Sequence, residues 1–220
     1  MGTNHAIINL KNISFGYAAK QLVLNQLNFT FSAGERIGLV GANGSGKTTL
    51  FHVIMGLQKP LKGEVEVLKK PRCTEADFRE VRENIGLLFQ DADDQLFCPT
   101  VAEDIAFGPL NLRKTHAEAK AIVKETLAML GLNGFESKIT FKLSAGEKKL
   151  VSLATILAMK PKVLLLDEPT TGIDEYKVER IINVLTHHSE LSYIIISHDR
   201  DLLGKTTNKI YKMHNGKIEQ

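Results

Sequence analysis

Short runs of apolar residues recur along the chain, and turn-forming residues separate them. In residues 5–36 the runs are brief and partly alternating, and Gly16 and the turn at 32–34 interrupt them, which predicts a small antiparallel sheet. Continuous apolar runs follow at residues 36–40, 85–89, 163–166 and 193–196. Such runs are typical of strands buried on both faces of a parallel sheet, so we expect an α/β fold. Residues 210–220 predict a closing hairpin.

Between residues 91 and 150 the pattern changes to that of helices. Thr100 with Glu103, and Thr115 with Glu118, have the S/T-x-x-E/Q spacing in which each side chain bonds the other residue's backbone N–H at a helix start. The apolar residues after the second pair share one helical face: Ile122, Val123, Leu127 and Leu130. The pattern therefore predicts a helical segment inserted between strands.

A glycine-rich motif follows the apolar run 36–40 directly. Residues 41–48 match G-x-x-x-x-G-K-[ST], and the next residues are helical in character, so the motif has the strand and helix that a phosphate-binding loop requires. Backbone N–H groups and the helix N-terminus surround phosphate oxygens in such a loop. Lys47 is expected to reach the β- and γ-phosphates and the Thr48 hydroxyl to bind Mg²⁺. The nucleotide-binding residues expected here are Gly41, Asn43, Gly44, Ser45, Gly46, Lys47, Thr48 and Thr49.

The fold prediction is thus an α/β protein with a P-loop NTPase core of the RecA-like kind, an N-terminal antiparallel β subdomain and an inserted helical subdomain. A length of 220 residues suits one domain. We expect residues 1–90 and 151–220 to form the β subdomain and the core, and residues 91–150 to form the helical subdomain.

Composition narrows the classes of partner. The net charge of +3 is too small to indicate nucleic acid, and none is expected as a partner. No apolar stretch reaches the roughly 18 residues of a membrane span, and the N-terminus lacks a leader pattern, so the sequence predicts a cytosolic protein that serves any membrane through other subunits. Cys73 and Cys98 have no C-x-x-C spacing, so no disulfide partner is expected.

Two carboxylates end the apolar run 163–166. Asp167 is placed to hold Mg²⁺ through water, and Glu168 is placed to orient and polarise an attacking water molecule. Considered alone, Glu168 is also compatible with a solvated or helix-capping residue, because Pro169 opens a turn after it. The pair together with the P-loop favours ATP hydrolysis.

Four motifs in one order resemble the nucleotide-binding subunit of ABC transporters over nearly the whole chain. They are the P-loop, LSAGE at 143–147, VLLLDE at 163–168 and SH at 197–198. The resemblance implies that Glu168 is catalytic with Lys47, that His198 contacts the γ-phosphate, and that Gln90 senses the Mg²⁺ held by Thr48 and Asp167. It also implies that Tyr17 stacks on adenine. From the residues alone, a packed strand aromatic and a structural histidine stay open for Tyr17 and His198.

The segment 143–147 is the most diagnostic part of the resemblance. Ser144 with Glu147 is itself a capping box, whose helix N-terminus can bind an anion. In the resembled family, Ser144, Gly146 and Glu147 correspond to residues that complete the ATP site of the opposite subunit. The implied assembly is a dimer with a second ATPase chain, identical or related, around two ATP molecules. Ala145 replaces a usual glycine, and alanine disfavours positive φ, so the effect of this departure on turnover stays open.

Residues 90–97 and 99–112 resemble ATPase subunits of energy-coupling-factor importers, which take up vitamins and transition-metal ions. This resemblance implies an integral membrane scaffold and a substrate-capture subunit, with the chain peripheral on the cytoplasmic face of the membrane. Asp91, Asp93 and Asp94 either meet basic residues of that scaffold or form a solvated acidic turn. The ending at residues 216–220, without a further C-terminal region, favours the nickel and cobalt branch.

Other activities remain compatible with the same motifs. A vitamin importer, an exporter or a lipoprotein-release ATPase would share every catalytic residue and differ in the partner. A soluble ABC ATPase of DNA repair or translation usually has two fused cassettes or a long coiled-coil insertion, and this chain has neither. A regulatory subunit that binds ATP without hydrolysing it is disfavoured by Lys47, Asp167, Glu168 and His198.

Overall fold

The computed structural model describes residues 6–17, 21–187 and 191–219. The strands are β1 (Ala6–Phe15), β2 (Leu24–Ser32), β3 (Arg36–Val40), β4 (Lys62–Val67), β5 (Lys70–Pro71), β6 (Ile85–Leu88), β7 (Val163–Asp167), β8 (Ser192–Ile196), β9 (Lys209–His214) and β10 (Lys217–Glu219). The helices are α1 (Lys47–Ile54), α2 (Glu75–Asn84), α3 (Val101–Asn111), α4 (His116–Met129), α5 (Ala145–Leu157), α6 (Glu175–His187) and α7 (Arg200–Thr206). Residues 1–5 of the predicted core and Gln220 of the predicted hairpin lie outside the described residues.

The N-terminal sheet is antiparallel, with strand order β2-β1-β4-β5. In β1 the buried side chains include Ile8, Leu10 and Ile13, and they pack with the inner side chains of β2 in one core. The predicted antiparallel sheet is confirmed for β1 and β2. β4 and β5, which complete the sheet, were not predicted.

The core sheet within the described ranges has strand order β10-β9-β3-β8-β7-β6, and all neighbours except β9 and β10 are parallel. The residues of β6, β7 and β8 are all buried, as the continuous apolar runs predict. Because parallel strands end at one edge of a sheet, the segments after β3, β6, β7 and β8 converge there. The P-loop, Gln90, Glu168 and His198 lie in those four segments.

Each predicted capping box starts a helix. Thr100 begins α3, Thr115 begins α4 and Ser144 begins α5, in each case with both reciprocal bonds to the glutamate three residues later. These helices pack in a second core on the other face of the sheet, where Leu127 and Leu130 are fully buried. The predicted fold class is confirmed. The division at residues 90 and 150 stays a prediction, and its second boundary falls inside α5.

Over the described ranges, the longest helices are too short or too polar to span a lipid bilayer.

Candidate active site

The loop before α1 encloses the side chain of Lys47. Nζ of Lys47 donates to the carbonyl oxygens of Gly41 over 2.8 Å and Ala42 over 3.1 Å. Gly46 caps the helix with a φ of 106°, and a Cβ there would lie 2.9 Å from the carbonyl oxygen of Val23, so glycine is required on both counts. Burial lowers the pKa of Lys47, while Glu168 and Asp167 act in the opposite direction. The loop therefore concentrates positive charge and N–H donors at the start of α1.

Asp167 and Thr48 face each other across the edge of the core sheet. The Thr48 hydroxyl donates to Oδ2 of Asp167 over 2.6 Å. Asp167 is 3% exposed, and burial raises the pKa of its carboxyl group, although the bond from Thr48 lowers it. A hydroxyl and a carboxylate at the end of a phosphate-binding loop form the oxygen donor set that Mg²⁺ prefers.

Glu168 occupies a strained and nearly enclosed position. Its φ is +46°, which is unfavourable for a residue with a Cβ and is held by the bond from its N–H to the carbonyl oxygen of Ile196, 2.9 Å long. Only 9% of the residue is exposed. The Thr171 hydroxyl donates to its Oε2 over 3.0 Å, and the Ser197 hydroxyl does so over 3.5 Å. The strained backbone and the two hydroxyl donors thus hold the Glu168 carboxylate in one position at the edge of the sheet.

His198 lies beside this carboxylate, and Gln90 lines the same cleft. Nε2 of His198 lies 3.6 Å from Oε1 of Glu168, and the imidazole is more than half exposed. Gln90 is exposed and follows β6 by two residues. Both side chains can therefore reach a ligand that lies between the sheet edge and solvent.

A cleft of about 430 Å³ joins these groups. Its lining contains most of the predicted residues together with two that sequence reasoning missed, Val23 and Ile196: Tyr17, Val23, Asn43, Gly44, Gly46, Lys47, Thr48, Thr49, Gln90, Asp167, Glu168, Ile196 and His198. Tyr17 is 64% exposed, its hydroxyl lies 3.2 Å from Oγ1 of Thr49, and its ring packs edge-on against Phe15 at 5.0 Å. Its free face is thus available to a planar ligand.

The predicted residues Gly41 and Ser45 lie in the loop but do not line the cleft. A Cβ on Gly41 would lie 2.3 Å from the carbonyl oxygen of Met213, so the loop can approach β9 only with glycine there. Oγ of Ser45 is buried and has no hydrogen-bond partner. An unpaired buried hydroxyl beside the N-terminus of a helix can donate a hydrogen bond to an oxygen of a phosphate chain.

The structure does not bring Ser144, Gly146 and Glu147 to the cleft. Ser144 is exposed at the start of α5, where its hydroxyl accepts the N–H of Glu147 and Oε2 of Glu147 accepts the N–H of Ser144. Ala145 begins the helix and has no positive φ, so alanine is not strained here, and its effect on turnover stays open. The hydroxyl-bearing start of α5 thus lies outside the cleft, although Ala145 lines an adjoining cavity of about 640 Å³ together with Thr48 and Asp167.

Sequence reasoning also missed residues that hold the site in place. Lys149 bonds the carbonyl oxygens after β6, and Gln95 bonds the N–H of Phe89. Thr171 and Ser197 orient Glu168. A hydroxyl three residues after a glutamate at a strand end could have indicated Thr171, whereas nothing in the charged run 147–149 marks one lysine as buried.

Comparison with known proteins decides the family. The family model described as ABC transporter matches residues 24–171. The chain belongs to the ABC transporter family. It is an ATP-binding subunit of this family and an ATPase.

Among its relatives is a putative ABC transporter ATP-binding protein of Nitratidesulfovibrio vulgaris, 46% identical over 97% of this chain and 78% of the relative. Another is the energy-coupling factor transporter ATP-binding protein EcfA of Methanocaldococcus jannaschii, 44% identical over 96% of this chain and 77% of the relative. Both alignments extend well beyond the P-loop, so the likeness concerns the whole cassette.

Solved structures of ABC ATPases have the same fold. The ATPase cbiO1 of Clostridium perfringens, part of the ABC transporter complex cbiONQ, superposes with a TM-score of 0.85 at 33% identity, over 98% of this chain and 87% of that one. A bacterial ABC transporter cassette solved as a dimer superposes with a TM-score of 0.88 at 25% identity, over 97% of both chains.

Proposed function

We propose that the chain is the ATP-hydrolysing subunit of an energy-coupling-factor type ABC importer, and that it drives uptake of a transition-metal ion, nickel or cobalt. The observation that carries this proposal is the likeness to EcfA at 44% identity. The fold likeness to cbiO1, part of the complex cbiONQ, supports an importer of the same kind. The proposed localisation is the cytoplasmic face of the membrane, where the chain would bind as a peripheral subunit.

In the proposed reaction, Glu168 orients the water that attacks the γ-phosphate and polarises its O–H bond. Thr171 and Ser197 hold the carboxylate by its Oε2, which leaves Oε1 and the nearby His198 to face the cleft. Lys47 and the N–H groups of the P-loop stabilise the negative charge that develops on the phosphate oxygens. His198 would contact the γ-phosphate and connect it with Glu168.

The residues present also fit a magnesium ion. Thr48 and Asp167 would hold it, with the side-chain oxygen of Gln90, which lines the same cleft, as a further donor. When bound, Mg²⁺ neutralises charge on the phosphate oxygens and orients them. Tyr17 would stack on the adenine ring through its exposed face.

A second ATPase chain, identical or related, would complete each site. This proposal is supported by the exposed position of Ser144, which lies outside the cleft of its own chain. A helix N-terminus with an exposed hydroxyl can bind phosphate oxygens offered by another subunit. The similar cassette that was solved as a dimer adds a precedent at 25% identity.

An apolar groove supports docking of a membrane scaffold. It has a volume of about 680 Å³, lies between α3 and α4 and contains Ala106, Leu110 and Val123. Beside it, Phe97 and Phe107 pack edge-to-face at 4.9 Å and are 67% and 48% exposed. Two exposed phenylalanines next to an apolar groove are typical of a surface that binds another protein.

Isolation of the tagged chain from its native membranes in mild detergent tests the proposal. We expect an integral scaffold and a small substrate-capture subunit to co-purify, and nickel or cobalt to bind to the latter. Phe107→Glu should abolish co-purification and keep ATP binding, whereas Leu61→Glu, which also alters an exposed apolar residue, should change neither. A capture subunit that binds a vitamin would overturn the metal proposal, and recovery of soluble proteins alone would overturn the importer.

A further inference from the structure

Lys149 is a buried cation that the proposed reaction does not use. It lies in the second turn of α5 and is only 4% exposed. Its Nζ donates to the carbonyl oxygen of Gln90 over 2.6 Å and to that of Phe89 over 3.3 Å. A lysine ammonium has three N–H donors and no acceptor. Two of these donors bond the backbone of the segment that carries Gln90.

Gln95 ties the same backbone to the same helix. Its Oε1 accepts the N–H of Phe89 over 3.2 Å. Its Nε2 donates to the carbonyl oxygen of Ser152 and to Oγ1 of Thr155, both over 2.8 Å. The N–H and the carbonyl oxygen of Phe89 are therefore both bound by side chains that lead to α5, so this residue and the helix must move together.

Lys148 makes a weaker connection. Its Nζ lies 2.5 Å from Oδ1 of Asp93, a side chain that is 68% exposed. Exposed ion pairs contribute little because water and salt screen them. Of the two adjacent lysines, Lys149 is the more firmly fixed, because it is 4% exposed and bonds two backbone carbonyl oxygens.

Lys149 and Gln95 connect two parts of the chain that differ in their surroundings. Gln90 lines the cleft of its own chain, whereas Ser144 is exposed at the N-terminus of α5. An α-helix moves as a rigid body, and Lys149 is held within its second turn. A shift of the backbone at residue 90 is therefore transmitted to the exposed N-terminus of the helix within five residues.

We propose that Lys149 is a positioning residue that transmits nucleotide occupancy from the backbone of Gln90 to the N-terminal turn of α5. This inference rests on the proposed function, in which Gln90 contacts the bound nucleotide and Ser144 completes the site of a second chain. Occupancy of one cleft then sets the position of the signature segment that serves the other cleft. Gln95 reaches α5 further along, at Ser152 and Thr155, and adds to this coupling.

Hydrogen–deuterium exchange of the full chain tests this role. The probe is the magnesium complex of a non-hydrolysable ATP analogue at saturation, and the readout is exchange of the amides of residues 148–152. We expect exchange in the wild type to slow about fivefold or more on binding, at the lower end of typical couplings between sites. The change must be independent of protein concentration, because protection by a second chain would increase with concentration.

In Lys149→Met, which keeps the length of the side chain and removes its donors, saturating analogue should still occupy the cleft while the response of α5 falls severalfold below that of the wild type. The tie through Gln95 remains in this variant and accounts for the residual response. Lys148→Met is the matched control and should respond as the wild type does. If Lys149→Met does not fold, Lys149→Gln takes its place, with thermal unfolding of the nucleotide-free chain measured for each variant.

An undiminished response of α5 in the Lys149 variant, loss of the response in the Lys148 variant, or no response in a wild type that binds the analogue would each overturn the role of Lys149 and leave the proposed function intact. A wild type that does not bind the analogue would instead overturn the proposed function.

Discussion

The hydroxyl of Thr48 donates to Oδ2 of Asp167 over 2.6 Å, although the two residues are 119 positions apart. Thr48 lies in the first turn of α1 and Asp167 ends β7. The strands that lead to them are not neighbours, because β8 lies between β3 and β7. This bond therefore forms only when β3, β8 and β7 end at the same edge of the sheet. The free energy of unfolding should consequently depend on whether the Asp167 carboxyl group is charged.

Asp167→Asn should make the protein more stable at neutral pH. Burial raises the pKa of Asp167, so between the ordinary value of 3.8 and the raised value the folded state binds more protons than the unfolded state. The free energy of unfolding then falls as the pH rises through that interval, and the charged form stays costly above it. Asparagine removes this cost and can still accept the Thr48 hydroxyl.

Urea unfolding at pH 7 and near pH 4 measures this effect. The midpoint of the variant should exceed that of the wild type at pH 7, and the difference should shrink near pH 4. Asp94→Asn, the same substitution at an exposed aspartate, is the control and should show no such gain. An equal difference at both pH values would contradict the account.

Glu168→Gln should abolish most hydrolysis and retain ATP. The amide keeps the shape of the side chain and an oxygen that accepts from Thr171, but it no longer polarises water. General-base catalysis contributes about 10²- to 10⁴-fold, so phosphate release should slow by at least about 100-fold. Measured ATP affinity should stay unchanged, and Glu179→Gln, on the exposed side of α6, should hydrolyse normally. Hydrolysis by the Glu168 variant at the wild-type rate would exclude the assigned role.

Gly41→Ala should disrupt the P-loop. A Cβ at this position would lie 2.3 Å from the backbone oxygen of Met213, which cannot move without breaking β9. We expect a cost of about 1–3 kcal/mol from the forced shift, together with loss of ATP binding. Gly34→Ala is the control, because its φ is +79° but no atom lies within 4 Å of the added Cβ. It should cost about 1 kcal/mol and leave ATP binding unchanged. Urea unfolding and ATP titration of both variants measure this, and equal losses of binding would refute the steric argument.

Tyr17→Ala should weaken ATP binding by about tenfold. Stacking of a base on an aromatic ring contributes about 1–3 kcal/mol, and a loss of 1.4 kcal/mol corresponds to a factor of ten. Tyr17→Phe keeps the ring and loses only the hydroxyl contact with Thr49, so its affinity should stay within about twofold of the wild type. Titration with ATP and with inorganic triphosphate separates the contributions, because Tyr17→Ala should leave triphosphate binding intact. Equal weakening for both ligands would assign Tyr17 to the loop and not to adenine.

The parts of the fold that could be predicted from the sequence are those in which a residue pattern is typical of a single structural element. The apolar runs of β7 and β8 and the capping boxes at Thr100, Thr115 and Ser144 belong to this class. α2 was not predicted, because Thr74 pairs with Asp77 and not with Glu or Gln, and because only Phe78 and Val81 of this charged helix are buried. β4 has the same difficulty, since half of its residues are exposed.

In the candidate site, the motif residues could be predicted but their supports could not. Lys47 and Asp167 are identified by spacing in the sequence. Lys149 stands in a run of three charged residues, which is typical of a solvated surface, and its burial depends on the backbone of Gln90, 59 positions away. The strained φ of Glu168 is likewise invisible in the sequence, because it results from the fit of β7 against β8.

The separation of Ser144 from the cleft of its own chain has a genetic consequence. On the proposed pairing of identical chains, a lesion in the P-loop and a lesion at the N-terminus of α5 impair different sites. A mixed dimer with one lesion on each chain retains one site in which both halves are sound. Two alleles that are inactive alone would then complement each other when expressed together, whereas two alleles with lesions in the same segment would not.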